Sequence, residues 1–195
     1  MGRCSEWPET GSDWLRPCPW AFRQLLNYIH EKWAKPIYVT ENGVSSNDGC
    51  NERDYCEDPR DDCGATNGTD FDPVLDDQFR VKFYEDYIGQ MLRAINEDGV
   101  DVKAYTAWSL MDNLEWAKGY TERFGLHWTN YTDDNRQVFR KASGDWYANV
   151  AKYNCVTGTD FDSTACASFN PQCEDPSLND DFMSCQEGKR IYFFE

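Results

Sequence analysis

The sequence is short of positive charge. It carries 19 Lys+Arg against 35 Asp+Glu, a formal net charge of −16, and its longest basic run is the pair Lys189–Arg190. Phosphate backbones and anionic lipid surfaces repel such a chain. Nucleic acid is therefore excluded as a partner, and this segment is not expected to touch a membrane. No apolar run approaches the roughly 18 residues that a membrane-crossing helix needs. There are only two histidines, and none of the nine cysteines stands in a CxxC pair. The spacing fits no zinc template, and neither a metal nor an organic cofactor is expected. Met1–Glu6 leads into no apolar stretch of the roughly 7–15 residues that a secretory leader contains. Glu6 also stands where a myristoylation signal requires Ser or Thr. At 195 residues the sequence is shorter than a complete eight-stranded β/α barrel, which takes about 250.

Aromatic residues, by contrast, make up 15% of the chain, a composition foreign to disordered proteins. The nine cysteines fall mostly in Asp-, Asn- and Gly-rich stretches, as in Cys50-Cys56-Cys63 and Cys166-Cys173-Cys185. Disulfides are the expected state there, which places the chain outside the cell or in the lumen of the secretory pathway. Two sequons, Asn67-Gly68-Thr69 and Asn130-Tyr131-Thr132, agree with a glycoprotein. A secretory body with no leader predicts that the native N-terminus lies upstream of Met1.

Residues 19–34 read as a helix: Pro19 suits a first turn, and Phe22, Leu25, Leu26, Ile29 and Trp33 recur at helical spacing. Ile37-Tyr38-Val39 is a short apolar run of strand formers without polar alternation, the pattern of a parallel strand buried on both faces. Asn42-Gly43 ends it as a turn. Residues 76–98 form the strongest helix. Asp76 or Asp77 can cap it, Tyr84, Tyr87, Ile88, Met91, Leu92 and Ile95 make one stripe, and Gly99 closes it. Ala104–Leu110 read as a second buried strand, and residues 141–153 as a third helix. Helix, strand, helix, strand, helix predicts an α/β fold with parallel strands. Two acidic, Cys-bearing segments stand apart: an insertion at about 46–75 and a tail at 154–195. They share the words GTDFD (68–72, 158–162) and CEDP (56–59, 173–176), in opposite order, so they are not a tandem repeat.

Glu41 sits where the first strand ends, and functional groups of α/β folds gather at the carboxyl ends of strands. Past the second strand, Trp108, Asp112, Glu115 and Trp116 place two indoles and two carboxylates together. Sugars present apolar CH faces that stack on indoles and hydroxyls that donate to carboxylates. The combination suits a carbohydrate site, although core tryptophans in a structural turn give the same composition.

Residues 37–45, IYVTENGVS, resemble the nucleophile motif of glycoside hydrolase family 1, the retaining β-glycosidases. Residues 107–126, AWSLMDNLEWAKGYTERFGL, resemble the segment after that family's last barrel strand. The helix PWAFRQLLNYIHEKWAKP and the closing KASGDWYANV match as well, so the resemblance covers about residues 7–153 apart from the insertion. Its flavour is that of the lactase-phlorizin-hydrolase, myrosinase and klotho relatives.

The resemblance implies the C-terminal quarter of a (β/α)8 TIM barrel, strands seven and eight with their flanking helices. It implies Glu41 as catalytic nucleophile, Trp108 as the indole under the glycone ring, Glu115 as the carboxylate on the sugar's 4- and 6-hydroxyls, and Trp116 as a further hydroxyl-binding indole. A carboxylate at Glu115 would repel a 6-phosphate, so the expected substrate is an unphosphorylated β-glycoside. Leu114 stands where the family more often has Phe. The insertion after Val44 is long and would lie at the mouth of the active site.

Retaining hydrolysis needs a second carboxyl group about 5–5.5 Å from the nucleophile. The family takes its acid/base from an Asn-Glu-Pro motif, which this chain lacks, and His30 and His127 match none of the family's sugar ligands. The expectation is a fragment lacking the acid/base, inactive in isolation, whose partner is the missing N-terminal part of the same barrel. A non-catalytic klotho-like binding protein and a myrosinase-like thioglucosidase are the alternatives. The intact carboxylate at Glu41 argues against the first.

Overall fold

The computed structural model describes residues 10–45, 74–131, 134–160, 162–164 and 191–194. The insertion from 46 to 73, the first sequon and seven of the nine cysteines lie outside the described residues. The other two, Cys18 and Cys155, are both disulfide-bonded. The chain falls into two compact units: one from segments of Met1–Pro17, Gly43–Val81 and Trp108–Asp145, the other from segments of Cys18–Asn42, Lys82–Ala107 and Trp146–Glu195.

The second unit is the α/β part. Helix α1 (Pro19–Trp33) opens with proline in its first turn. Strand β1 (Ile37–Asn42) follows, then helix α2 (Gln78–Asn96) and strand β2 (Val102–Ala107). The two strands pair in parallel, Ile37 opposite Val102 and Asn42 opposite Ala107. The α2 stripe forms the core: Tyr84, Ile88 and Met91 are fully buried, and Gly99, at φ +76°, lets the Val100 N–H turn back to the Ala94 carbonyl. That is the left-handed helix stop expected of glycine.

On α1, Leu25 and Trp33 are 52% and 53% exposed, and Leu26 alone of the stripe is buried outright. Strand β1 is not buried on both faces: Val39 is covered, while Tyr38 is 62% exposed. Among the described residues β1 has one strand neighbour, β2.

Among its described residues the first unit holds a 3-10 turn, Trp116–Lys118, and an antiparallel pair, β3 (His127–Thr129) with β4 (Val138–Arg140), which the sequence pattern did not reveal. Helix α3 runs Ala142–Tyr153. Asp77 directly precedes α2, and its carbonyl accepts the Arg80 and Val81 N–H groups. Its side chain reaches α3: Oδ1 accepts the Ser143 backbone N–H at 2.8 Å and Oδ2 accepts the Ser143 hydroxyl at 2.6 Å, which caps that helix. Asn130, of the second sequon, is 6% exposed.

Among the described residues the tail contributes strand β5 (Tyr192–Phe194), parallel to β2 on the side away from β1, giving the sheet order β1-β2-β5. Among the described residues no helix is long and apolar enough to cross a membrane.

Candidate active site

Glu41 is the penultimate residue of β1, and its side chain is exposed. The next residue is held from the neighbouring strand: the buried phenol of Tyr105 on β2 donates to Oδ1 of Asn42 at 2.6 Å. Burial keeps the Tyr105 proton in place far above the ordinary phenol range. The chain then continues through Gly43, where a Cβ would lie 1.8 Å from the Trp108 carbonyl oxygen. Only glycine fits there. Strand ends and exit loops are thus fixed at the same level, since β1 and β2 finish with Asn42 opposite Ala107.

Trp108 follows β2 directly and is 36% exposed. The segment after it is stitched down by backbone bonds: Ser109 N–H to the Phe124 carbonyl, Leu126 N–H to the Ser109 carbonyl, and Asp112 N–H to the His127 carbonyl. His127 adds a bond from Nδ1 to the Leu110 carbonyl at 2.8 Å, a structural role.

The two acids of this segment differ in environment. Asp112 is 1% exposed and wholly engaged inside the protein. Its Oδ1 accepts the Gly125 N–H at 2.9 Å and the Lys141 ammonium at 3.2 Å, and its Oδ2 accepts the Arg123 guanidinium at 2.7 Å. Burial pushes this carboxyl upward, but Lys141 and Arg123 outweigh it and hold the group below the usual carboxylate range. It is an internal anchor, not a sugar-facing acid.

Glu115 is only half-buried and precedes the 3-10 turn, where its N–H bonds the Gly119 carbonyl at 2.6 Å. Its carboxyl is raised, first by burial and then by the charge of Glu122. Glu122 is itself buried; its Oε2 accepts the Ser12 hydroxyl at 2.6 Å and its Oε1 lies 3.5 Å from Lys118 Nζ. Ser12 in turn bonds the Ser45 hydroxyl at 2.7 Å. Sequence reading passed over Glu122, because an acid between Thr and Arg in a loop carries no periodic signal. Trp116, at φ +46°, is 88% exposed. No group of three or more metal-ligating side chains occurs among the described residues.

The comparisons with known proteins decide the family. A family model described as glycosyl hydrolase family 1 matches residues 3–156. The chain belongs to that family. Human lactase/phlorizin hydrolase is 41% identical over 149 residues, which are 76% of this chain and 6% of that protein. Among solved structures, the β-glucosidase of Trichoderma harzianum matches with a TM-score of 0.60 and 40% identity, over 73% of this chain and 26% of the other. A rice β-glucosidase mutant in a covalent complex with Glc matches with a TM-score of 0.58 and 34% identity, over 72% and 26%. The chain therefore spans about a quarter of these solved family members and a still smaller share of the human relative.

Proposed function

We propose that this chain supplies the nucleophile-bearing strands of a retaining β-glycosidase, as strands seven and eight of a (β/α)8 barrel. The carrying observation is Glu41 at the carboxyl end of a parallel strand in a chain of this family, with Asn42 clamped beside it by Tyr105. In double displacement, the Glu41 carboxylate attacks the anomeric carbon as the aglycone oxygen leaves with a proton, giving a glycosyl ester. Water then cleaves that ester and frees Glu41. A covalent glucose complex in a structural neighbour supports this route. The acid/base carboxyl belongs to barrel strands other than these, because no Asn-Glu-Pro occurs in the 195 residues.

The remaining roles divide by chemistry. Trp108, partly exposed at a strand end, stacks on the glycone. Glu115 accepts hydrogen bonds from its hydroxyls and disfavours phosphorylated sugars, and the exposed Trp116 indole N–H donates to a further hydroxyl. Residues 1–153, interrupted at about 46–75, are the barrel portion, and 154–195 form a separate Cys-rich tail. The disulfide-bonded Cys18 and Cys155 support an oxidising, secretory or extracellular setting.

The test is a chimera in which residues 10–156 replace the matching segment of the Trichoderma harzianum β-glucosidase. It should hydrolyse an aryl β-glucoside. Glu41→Gln in the chimera should lower kcat by about 1,000-fold or more, in line with loss of a covalent nucleophile. Near-normal turnover in that variant removes Glu41 from the mechanism.

A further inference from the structure

Strand β5 lies outside the family match, which ends at residue 156, yet it is built into the family's sheet. Its register is regular: Tyr192 opposite Ala104, Phe193 opposite Tyr105, Phe194 opposite Thr106. Its side chains alternate as a half-buried strand should. Ile191 and Phe193 are each 2% exposed, whereas Tyr192 and Phe194 are 37% and 50% exposed. The Phe193 ring lies 6.2 Å from both Tyr105 and Tyr147. The Tyr147 hydroxyl sits 2.8 Å from the Phe194 carbonyl and 3.2 Å from the Tyr105 carbonyl, so one α3 side chain engages both strands.

An unpaired strand edge exposes a row of N–H and C=O groups that recruit other chains. A closed barrel has no such edge, because every strand has two strand neighbours. In the barrel reading of the preceding subsection, on which this inference rests, the side of β2 away from β1 belongs to another barrel strand. We propose that β5 is a surrogate barrel strand: the tail adds in cis to the free edge of β2, and tail pairing and barrel closure at that edge exclude each other. The chain thereby carries its own edge cover, held by main-chain pairing plus one buried aromatic, the pattern of strand addition to an exposed sheet edge.

The experiment is hydrogen–deuterium exchange with sedimentation velocity on the full 195-residue chain. Phe193→Asp should raise exchange across Val102–Ala107 by at least tenfold and shift the chain to larger species. Phe194→Asp, altering the exposed neighbour, should do neither. If Phe193→Asp also strips protection from α1, the chain has unfolded, and Phe193→Ala gives the same comparison with a smaller rise. Unchanged protection of β2 in a folded Phe193 variant, or equal effects of the two aspartates, overturns the proposal. A second arm appends residues 157–195 to the active chimera. Residues 191–194 should then exchange freely because a barrel strand holds the edge, and persistent protection there overturns mutual exclusion. An inactive chimera refutes the glycosidase reading, while the Phe193 and Phe194 comparison still decides whether the tail covers β2.

Discussion

Tyr105 and Asn42 are joined across the strand pair by a 2.6 Å hydrogen bond in which the buried phenol donates to the amide oxygen. The bond fixes the residue next to Glu41 from the one strand that flanks β1 among the described residues. In the proposed mechanism Tyr105 is a positioning residue. Tyr105→Phe should cost about 1 kcal/mol of stability, the usual net worth of one such bond. In the chimera it should lower kcat more than it raises KM. Denaturant unfolding and steady-state kinetics measure the two effects, and a change in KM alone would return Tyr105 to a purely structural part.

Gly43→Ala should be costly for its size. A Cβ 1.8 Å from the Trp108 carbonyl oxygen cannot be accommodated without moving backbone. The expected loss is about 1–3 kcal/mol or more, the range of overpacked sites. Tryptophan fluorescence should shift at the same time as Tm falls. A variant as stable as the parent would show that the two strand ends are not in contact.

Asp112→Asn leaves the buried cations of Lys141 and Arg123 without their carboxylate. Removing one member of a buried ion network costs about 3–5 kcal/mol. The acid limb follows from the same residue. Its folded pKa is depressed, so its contribution is complete above the unfolded value near 3.9 and fades as pH falls through the lower folded one. Urea midpoints measured from pH 6 downward should drop less in Asp112→Asn than in the parent.

Glu122→Gln should change how Glu115 titrates. Burial and the Glu122 charge both raise the Glu115 carboxyl, so removing that charge should lower it. The acidic limb of glucose binding by the chimera, where a carboxylate acceptor is needed, should then move to lower pH. Calorimetric titration across pH 4–7 reads this directly, and an unmoved limb would mean that Glu115 is not the titrating acceptor.

Trp108→Ala should weaken sugar binding by about 1–3 kcal/mol if the indole is a stacking platform, judged from the area an aromatic ring buries. Binding equal to that of the parent would place Trp108 in the loop scaffold rather than on the ligand.

The three helices and strands β1 and β2 were legible because α2 and β2 bury their apolar residues with clear periodicity. Tyr84, Ile88 and Met91 on one side, Ala104 and Tyr105 on the other, are all buried. Burial of β1 was misread, because Ile-Tyr-Val spells an interior strand whether or not a second neighbour exists. Hairpin β3–β4 was missed because three-residue strands carry too little alternation to rise above loop composition. Among the acids, Glu41 stands out in the sequence by its strand-end position and by motif. The division between Asp112 and Glu115 was invisible, since it depends on Lys141 and Arg123 arriving from elsewhere in the chain.

The cap that Asp77 places on α3 bears on folding order. Its partner Ser143 is 66 positions away, so the start of α3 receives its hydrogen-bond acceptor only after a long loop has closed. Contacts of such separation slow folding, because chain entropy is lost before they form. Helix α2 can form on local signals, whereas α3 has to wait for a distant carboxylate, and its first turn should be among the last parts of the molecule to become protected during refolding.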